Sequence, residues 1–467
     1  MALTVAPPSV SPVVAPSPAL CTDHYELTMV EAALASGVAS HRAVFEVFAR
    51  SLPLSRRVGV FAGVGRLLAA IAAFRFDTDT VRWLTDMQIV SETTGRWLAN
   101  YRFGGTITGY AEGELYVPHS PVLTIEASFA EAVLLETLVL SMVNADSAVA
   151  TTAARMVFAA AGTQLIEMGS RRTNEEAAVA AARAAWIAGF DATSNLAAGK
   201  RYGIPTVGTA AHAFTLAHPS EAAAFDAQIA ALGTDTTLLV DTYDIRSGIA
   251  AAVGAARRAG AAGPGAIRID SGDLAVAAAA ARSQLDALGA AATKIVVSGD
   301  LDEKRIAAIA AACAPVDCFG VGTRLVAGAS CPPPGFVFKL VAIADSPDLA
   351  APMRPVAKRA AGKQTYGGRK TAWRRVDRAV AREVIVVSPA VNVPAARALQ
   401  VPLMVDGTVV CDTSAAAARA RFAASIAEVP AASDLGSGPP AITTTIEIDD
   451  PAPSPPADAG IVMRPTR

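Results

Sequence analysis

Histidine is scarce in this chain, five among 467 residues. One of them, His212, stands in the run GTAAHAF (208–214), flanked only by small residues. The preceding GIPTV reads as a short buried strand, so the imidazole falls about one turn beyond a strand end. Such a histidine is either a satisfied structural residue or part of a site, and its companions decide which. Other chemistry-bearing clusters also follow short apolar runs: GSRR after TQLIEM, DATSN after WIAGF, DTYD after TLLV, DSGD after AIRI, SGDLDE after KIVV and GTR after DCFGV. The glycine-rich turns at 272–274, 298–301 and 320–323 leave backbone N–H groups free to approach phosphate oxygens. The carboxylates of DSGD and SGD suit a magnesium ion or the hydroxyls of a ribose. Arg171 and Arg268 suit bidentate capture of a carboxylate or phosphate. Some of the aspartates are expected only to cap helices, Asp302 among them.

The elements that position these groups follow from the same rhythm. From about residue 163, apolar runs alternate with helical segments, and the later runs start roughly 20 to 30 residues apart, the size of one βα unit. Seven units, or eight if FVFKLVAI (336–343) is counted, predict an α/β barrel, with a doubly wound sheet as the competing architecture. In a barrel the polar clusters meet at the C-terminal mouth. His212 would then share a rim with Arg171, Ser194, Asp241, Arg268, Asp270, Asp273, Asp300 and Thr323. Residues 104–127 alternate Thr, Val, Tyr and Ile between Gly and Pro turns, predicting a small antiparallel sheet. The division expected is a tail over 1–18, an α+β domain built from 19–130 and 345–428, the irregular α/β barrel over 131–344, and a tail over 429–467. Both tails are Pro/Ala-rich and predicted disordered. The basic stretch 354–375 reads either as a solvated hairpin turning at Gly367–Gly368 or as a basic flap over a phosphate-rich ligand.

Net charge is −2 and the pI about 6.3, so nothing global attracts nucleic acid or an anionic membrane. No run of 18 apolar residues predicts a membrane span, and the start lacks the basic segment of a secretory signal. The five cysteines form no C-x-x-C pair. They read as reduced thiols in a cytoplasm, with Cys313 and Cys318 as buried small hydrophobes rather than metal ligands.

The motifs TDHYELTM (22–29), VFEVFAR (44–50), EMGSRR (167–172), GFDATSN (189–195), GIPTVGTAAHAF (203–214), RIDSGDL (268–274) and FGVGTRLV (319–326) occur in order. With the KR…GGRK segment they resemble the nicotinate phosphoribosyltransferases from about residue 20 to 425. The resemblance implies coupling of nicotinate to phosphoribosyl pyrophosphate, giving nicotinate mononucleotide and pyrophosphate. It implies ATP as a co-substrate that phosphorylates a histidine, here His212, and a Mg2+ requirement. It places Arg268 against the nicotinate carboxylate, with Thr209, Arg171 and Ser194 at the same ligand. Tyr25 would stack on the pyridine from a neighbouring subunit, implying a homodimer with shared sites. The phosphoribosyl contacts implied are Asp270, Ser271, Gly272, Gly299, Asp300, Gly320, Gly322 and Thr323, with Asp273 and Asp300 as magnesium candidates.

Acid is favoured over amide at Ser194. The related nicotinamide-using enzymes carry an aspartate there, which accepts from an amide and repels a carboxylate, whereas serine can donate to one. Met168 and Asn174 depart from the family, Met168 replacing a phenylalanine that could sandwich the ring. The rival readings are a nicotinamide phosphoribosyltransferase, a quinolinate phosphoribosyltransferase and a non-catalytic nucleotide-binding paralogue.

Overall fold

The computed structural model describes residues 17–53, 56–327, 331–348, 350–358, 365–377, 380–387, 393–429 and 442–448. Residues 1–16, and most of the C-terminal stretch expected to be disordered, lie outside the described residues. The chain enters through the helix His24–Ser36, which stops at Gly37 in the left-handed conformation, φ +84°. Next come β1 (Arg42–Ala49), β2 (Gly59–Val60), β3 (Thr106–Tyr110), β4 (Leu115–Tyr116) and β5 (Leu123–Ser128). The alternating stretch 104–127 is antiparallel as expected: β3 pairs with β5, and β5 with β1.

The predicted βα rhythm becomes β6 (Gln164–Glu167), β7 (Ala192–Thr193), β8 (Thr237–Leu239), β9 (Ala266–Ile269), β10 (Lys294–Ser298) and β11 (Cys318–Val321). All pair in parallel, in the order β7-β6-β11-β10-β9-β8. The first strand of the series lies beside the last, as in a barrel. GIPTV, expected to be a buried strand, adds only one bridge, Thr193 to Thr206. Pro205 has no N–H to give to a ladder, and Thr206 and Val207 are exposed. No pairing between this run and β8 occurs among the described residues, so the sheet is a curled, open barrel rather than a doubly wound sheet.

Later strands are β12 (Phe336–Ala344), β13 (Met353–Pro355), β14 (Thr371–Asp377), β15 (Val380–Val387), β16 (Arg397–Ala398), β17 (Gln400–Val405), β18 (Thr408–Val409) and β19 (Ile442–Ile448). FVFKLVAI is therefore not an eighth barrel strand. It is β12, paired antiparallel to β1 in a sheet ordered β13-β12-β1-β5-β3-β17-β18. A parallel return needs a crossover of about a dozen or more residues, usually a helix; the helix described between β11 and β12, Thr323–Val326, is four residues long, and Pro332–Pro334 follow it. The rings of Phe45 and Phe338 stack at 4.8 Å across this joint.

The tail expected over 429–467 also needs correction, because ITTTIEI forms β19, parallel to β15. β-branched residues dominate that run and favour a strand. Nor do Gly367–Gly368 turn a hairpin: β13 belongs to β12, while β14 pairs with β15 and β16. Two of the basic side chains in that stretch are spent inside the fold. Lys370 is 2.6 Å from Glu46, and the buried Arg374 lies 2.6 Å from Glu114 and 3.2 Å from Glu383.

Two cores result, and the helix Glu136–Ala159 serves both. Its first half, with Leu138, Val139 and Val143, packs under the antiparallel sheet, and its second, from Val149 to Met156, packs against the barrel. The stretch Phe129–Ala159 is the one helical span among the described residues long and apolar enough to cross a membrane, and its apolar side chains fill these cores. All five cysteines are free. Cys318 is buried as expected, which pushes its thiol up to about 12, whereas Cys313 is exposed.

Candidate functional site

Side chains alternate across a strand, and this decides which groups reach the barrel interior. Ile267 and Ile269 of β9 point into the core under the helices. Ala266 and Arg268 take the other face. Ala266, Val296 and Cys318, with Ile166 packed against them, form a small apolar floor. One step further along each strand, the same face presents Arg268, Ser298, Gly320 and Met168. Gly320 leaves room there: a Cβ would come within 2.9 Å of Met168 Sδ and 3.2 Å of Ser298 Cβ, so the Met168 side chain would have to move.

Arg268 is held from three sides. Its Nε donates to Ser298 Oγ at 2.8 Å, one Nη to Thr209 Oγ1 at 2.9 Å and the other to Asp270 Oδ1 at 3.3 Å. Ser298 Oγ also donates to Asp270 Oδ1 at 2.5 Å. Asp270 is tied in turn to a second cluster, because its backbone N–H donates to Asp241 Oδ2 at 2.7 Å. Ser271 Oγ donates to the same oxygen at 2.9 Å. The other oxygen of Asp241, buried and without a hydrogen-bond partner among the described residues, lies 4.0 Å from His212 Nε2. His212 Nδ1 meets Thr242 Oγ1 at 3.1 Å, and the ring is 44% exposed. The imidazole is thus anchored on one side and open on the other. A continuous polar chain joins it to Arg268.

The structure therefore brings together His212, Arg268, Thr209, Asp270 and Ser271. Gly299 supports them from behind: at φ +115°, a Cβ there would sit 2.6 Å from the Asp270 carbonyl. Gly272, at φ +82°, faces open space. Asp300 adopts φ +46°, unusual for a residue with a side chain. Gly322 and Thr323 start the four-residue helix Thr323–Val326. Asp273 and Asp302 both cap helices, Asp273 accepting from Ala275 and Val276 and Asp302 from Arg305. Asn174 caps the helix Glu175–Ile187.

Ser194 and Arg171 are exposed at the ends of β7 and β6. Tyr25, 44% exposed, lies on the first helix beside Glu136, away from these clusters. Partial burial and the Glu136 carboxylate raise its phenol above the ordinary value.

Three contributors escaped the sequence reading. Ser298 shares the inward face with Arg268, which strand alternation would have revealed. Thr242 follows Asp241 in a cluster already noted. Glu167 is buried on the opposite face, where it accepts from Thr193 Oγ1 at 2.5 Å and from the Gly169 N–H. Burial pushes its carboxyl above the ordinary range against these bonds.

Residues 20–144 match the nicotinate phosphoribosyltransferase N-terminal domain, and residues 163–344 match the nicotinate phosphoribosyltransferase family. Nicotinate phosphoribosyltransferase pncB1 of Mycobacterium tuberculosis is 54% identical over 438 residues, covering 91% of this chain and 94% of that protein. Human nicotinic acid phosphoribosyltransferase superposes with a TM-score of 0.73 at 23% identity, over 89% of this chain and 95% of that one. A nicotinate-nucleotide pyrophosphorylase from Pyrococcus furiosus gives 0.71 at 24% identity, over 91% and 99%. These two likenesses concern the fold.

Proposed function

This chain belongs to the nicotinate phosphoribosyltransferase family, and from that premise we propose that it transfers phosphoribosyl from phosphoribosyl pyrophosphate to nicotinate. The products are nicotinate mononucleotide and pyrophosphate, an entry to NAD from salvaged nicotinic acid. The observation that carries the reading is Arg268, a guanidinium fixed by Thr209, Ser298 and Asp270 on the inward face of the barrel. A cation so held suits a planar aromatic carboxylate. Ser194 offers a donor at the same mouth, where an aspartate would repel the acid.

The pyridine nitrogen attacks C1 of the ribose as pyrophosphate leaves. Little covalent work falls to the protein, because the transition state resembles an oxocarbenium ion. Positioning and fixed charge supply the rate. Asp270 and Ser271 face the ribose, and the turns at Gly299–Asp300 and Gly320–Thr323 face phosphate. Magnesium carried on the pyrophosphate would offset its negative charge as it leaves. Among the described residues no three His, Cys, Asp or Glu side chains converge on one point. That suits an ion that arrives on substrate phosphates and keeps its waters, with Asp300 or Asp273 as outer contacts.

His212 is the acceptor of the ATP γ-phosphoryl group. With Nδ1–H held by Thr242 Oγ1, the in-plane lone pair of Nε2 is left to attack the γ-phosphorus as ADP departs, and the Asp241 carboxylate nearby offsets the positive charge that the ring acquires. The apolar side chains exposed around the mouth, Leu196, Val207, Phe214, Leu216 and Tyr243, support a homodimer in which a second copy covers the site and contributes Tyr25. Five unbridged thiols support a reducing compartment, the cytoplasm.

The test offers nicotinate, nicotinamide and quinolinate in parallel with magnesium, ATP and phosphoribosyl pyrophosphate. Mononucleotide from nicotinate is the expected result. Product from nicotinamide would overturn the role given to Ser194, and no product from any acceptor would leave a nucleotide-binding protein.

A further inference from the structure

Lined by none of the residues that hold Arg268 and His212, a cavity of ≈ 390 Å³ lies beside the start of the C-terminal helix Ala415–Ala427. Its walls come from four separated segments. The helix Val64–Ala73 supplies Arg66 and Ala69, two barrel helices supply Arg183, Arg201 and Tyr202, and the start of the C-terminal helix supplies Ser414. We propose that this cavity is a second anion site, distinct from the catalytic one, that takes a small phosphorylated ligand.

Charge is the first argument. Three arginines line the cavity and no acidic residue does. Each arginine has a carboxylate partner, but two of those partners stand behind the wall. Asp146, 2.7 Å from Arg66, and Glu112, 2.5 Å from Arg183, are 2% and 6% exposed in their side chains. The third, Glu176 on Arg201, lies on the solvent side. The carboxylates therefore fix the guanidiniums and keep them charged, while the cavity surface stays cationic.

Unused donors are the second argument. Arg66 spends only one Nη on Asp146, and its side chain is 25% exposed. The Arg183 guanidinium is buried behind the wall with both Nη groups on Glu112, and adds positive charge rather than an exposed donor. The Arg183 guanidinium lies 5.2 Å over the Tyr202 ring, which orients both at the wall. The 13-residue helix starting at Ala415 adds the positive end of its dipole. Donors from a guanidinium and a helix start are the set that recognises phosphate. A ligand seated here would touch the antiparallel domain, the barrel and the C-terminal helix together.

The test is a calorimetric titration of inorganic phosphate into the full-length protein, with and without saturating nicotinate mononucleotide to fill the acceptor and 5′-phosphate subsites, while two variants of the cavity wall separate it from the pyrophosphate and ATP subsites that stay open. Phosphate binding that persists in the presence of the mononucleotide is expected. Ala69→Glu puts a carboxylate into the cavity from an exposed helix position without breaking an ion pair. It should weaken that persistent binding at least about tenfold while leaving kcat and KM for nicotinate unchanged. Arg201→Gln, also at an exposed position, should weaken it without introducing a negative charge. Binding wholly displaced by the mononucleotide, or equal in wild type and both variants, would overturn the proposal. The turnover of each variant reports separately on the catalytic reading and on folding.

Discussion

Arg268 is hydrogen-bonded through Asp270 to Asp241, whose free carboxylate oxygen lies 4.0 Å from His212 Nε2, and single substitutions separate the roles of Arg268 and His212. Replacing the planar fork by an ammonium in Arg268→Lys loses at least one of three donors. The expected cost is about 1.5–3 kcal/mol, read as a rise in KM for nicotinate of about ten- to a hundredfold. Asp241→Asn removes the charge 4.0 Å from His212 Nε2 and leaves the Ser271 and Asp270 hydrogen bonds a carbonyl acceptor. It should depress ATP-dependent labelling of His212 while sparing the ATP-independent rate, which a filter-bound phosphate assay and initial rates distinguish. Glu167 gives a pH signature. Its carboxyl is raised above 4.5 by burial, so the folded state holds this proton more tightly than the unfolded chain. Stability attributable to it is full below the ordinary value and declines as pH rises through the window above it. Glu167→Gln should therefore flatten that decline, and urea midpoints at pH 5 and pH 8 should differ less in the variant than in the wild type.

The strands and turns decide whether those side chains meet. Gly299 and Gly272 both have positive φ, so alanine costs about 1–2 kcal/mol of backbone strain at either. Only at Gly299 does the new Cβ also strike the Asp270 carbonyl, at 2.6 Å. Gly299→Ala should abolish turnover, whereas Gly272→Ala should retain it with a modest drop in thermal midpoint. The barrel strands were legible because each is a short apolar run ending in a polar cluster, and strand alternation then sets which residues face inward. The edges were not. GIPTV has a strand's composition, yet Pro205 denies it a ladder. FVFKLVAI is as apolar as any barrel strand, but among the described residues only a four-residue helix precedes it after β11, and it pairs antiparallel with β1. Lys370 and Arg374 look like surface charges in a basic run. Their buried partners Glu46, Glu114 and Glu383 lie far away in sequence, and local pattern carries no trace of such contacts.

Across the whole molecule, two cores share one long helix, and the barrel mouth carries an exposed apolar rim. Tyr25 lies on the first helix, away from His212, so the account needs a second copy to complete each site. Tyr25→Ala and His212→Ala should each be impaired alone. Mixed in equal amounts after exchange of subunits, they should recover about a quarter of wild-type activity, since half the dimers then hold one intact site of two. Additive, unrecovered rates would mean that each chain works alone. A charge in the rim, Leu196→Glu, should shift sedimentation toward monomer. The central claim joins nicotinate transfer to the histidine that the sequence singles out. Its most direct test is the rate of nicotinate mononucleotide formation at low phosphoribosyl pyrophosphate, with and without ATP, in wild type and His212→Ala. The account predicts strong ATP stimulation in the wild type and none in the variant, with the ATP-free rates similar. Equal stimulation of both proteins would contradict it.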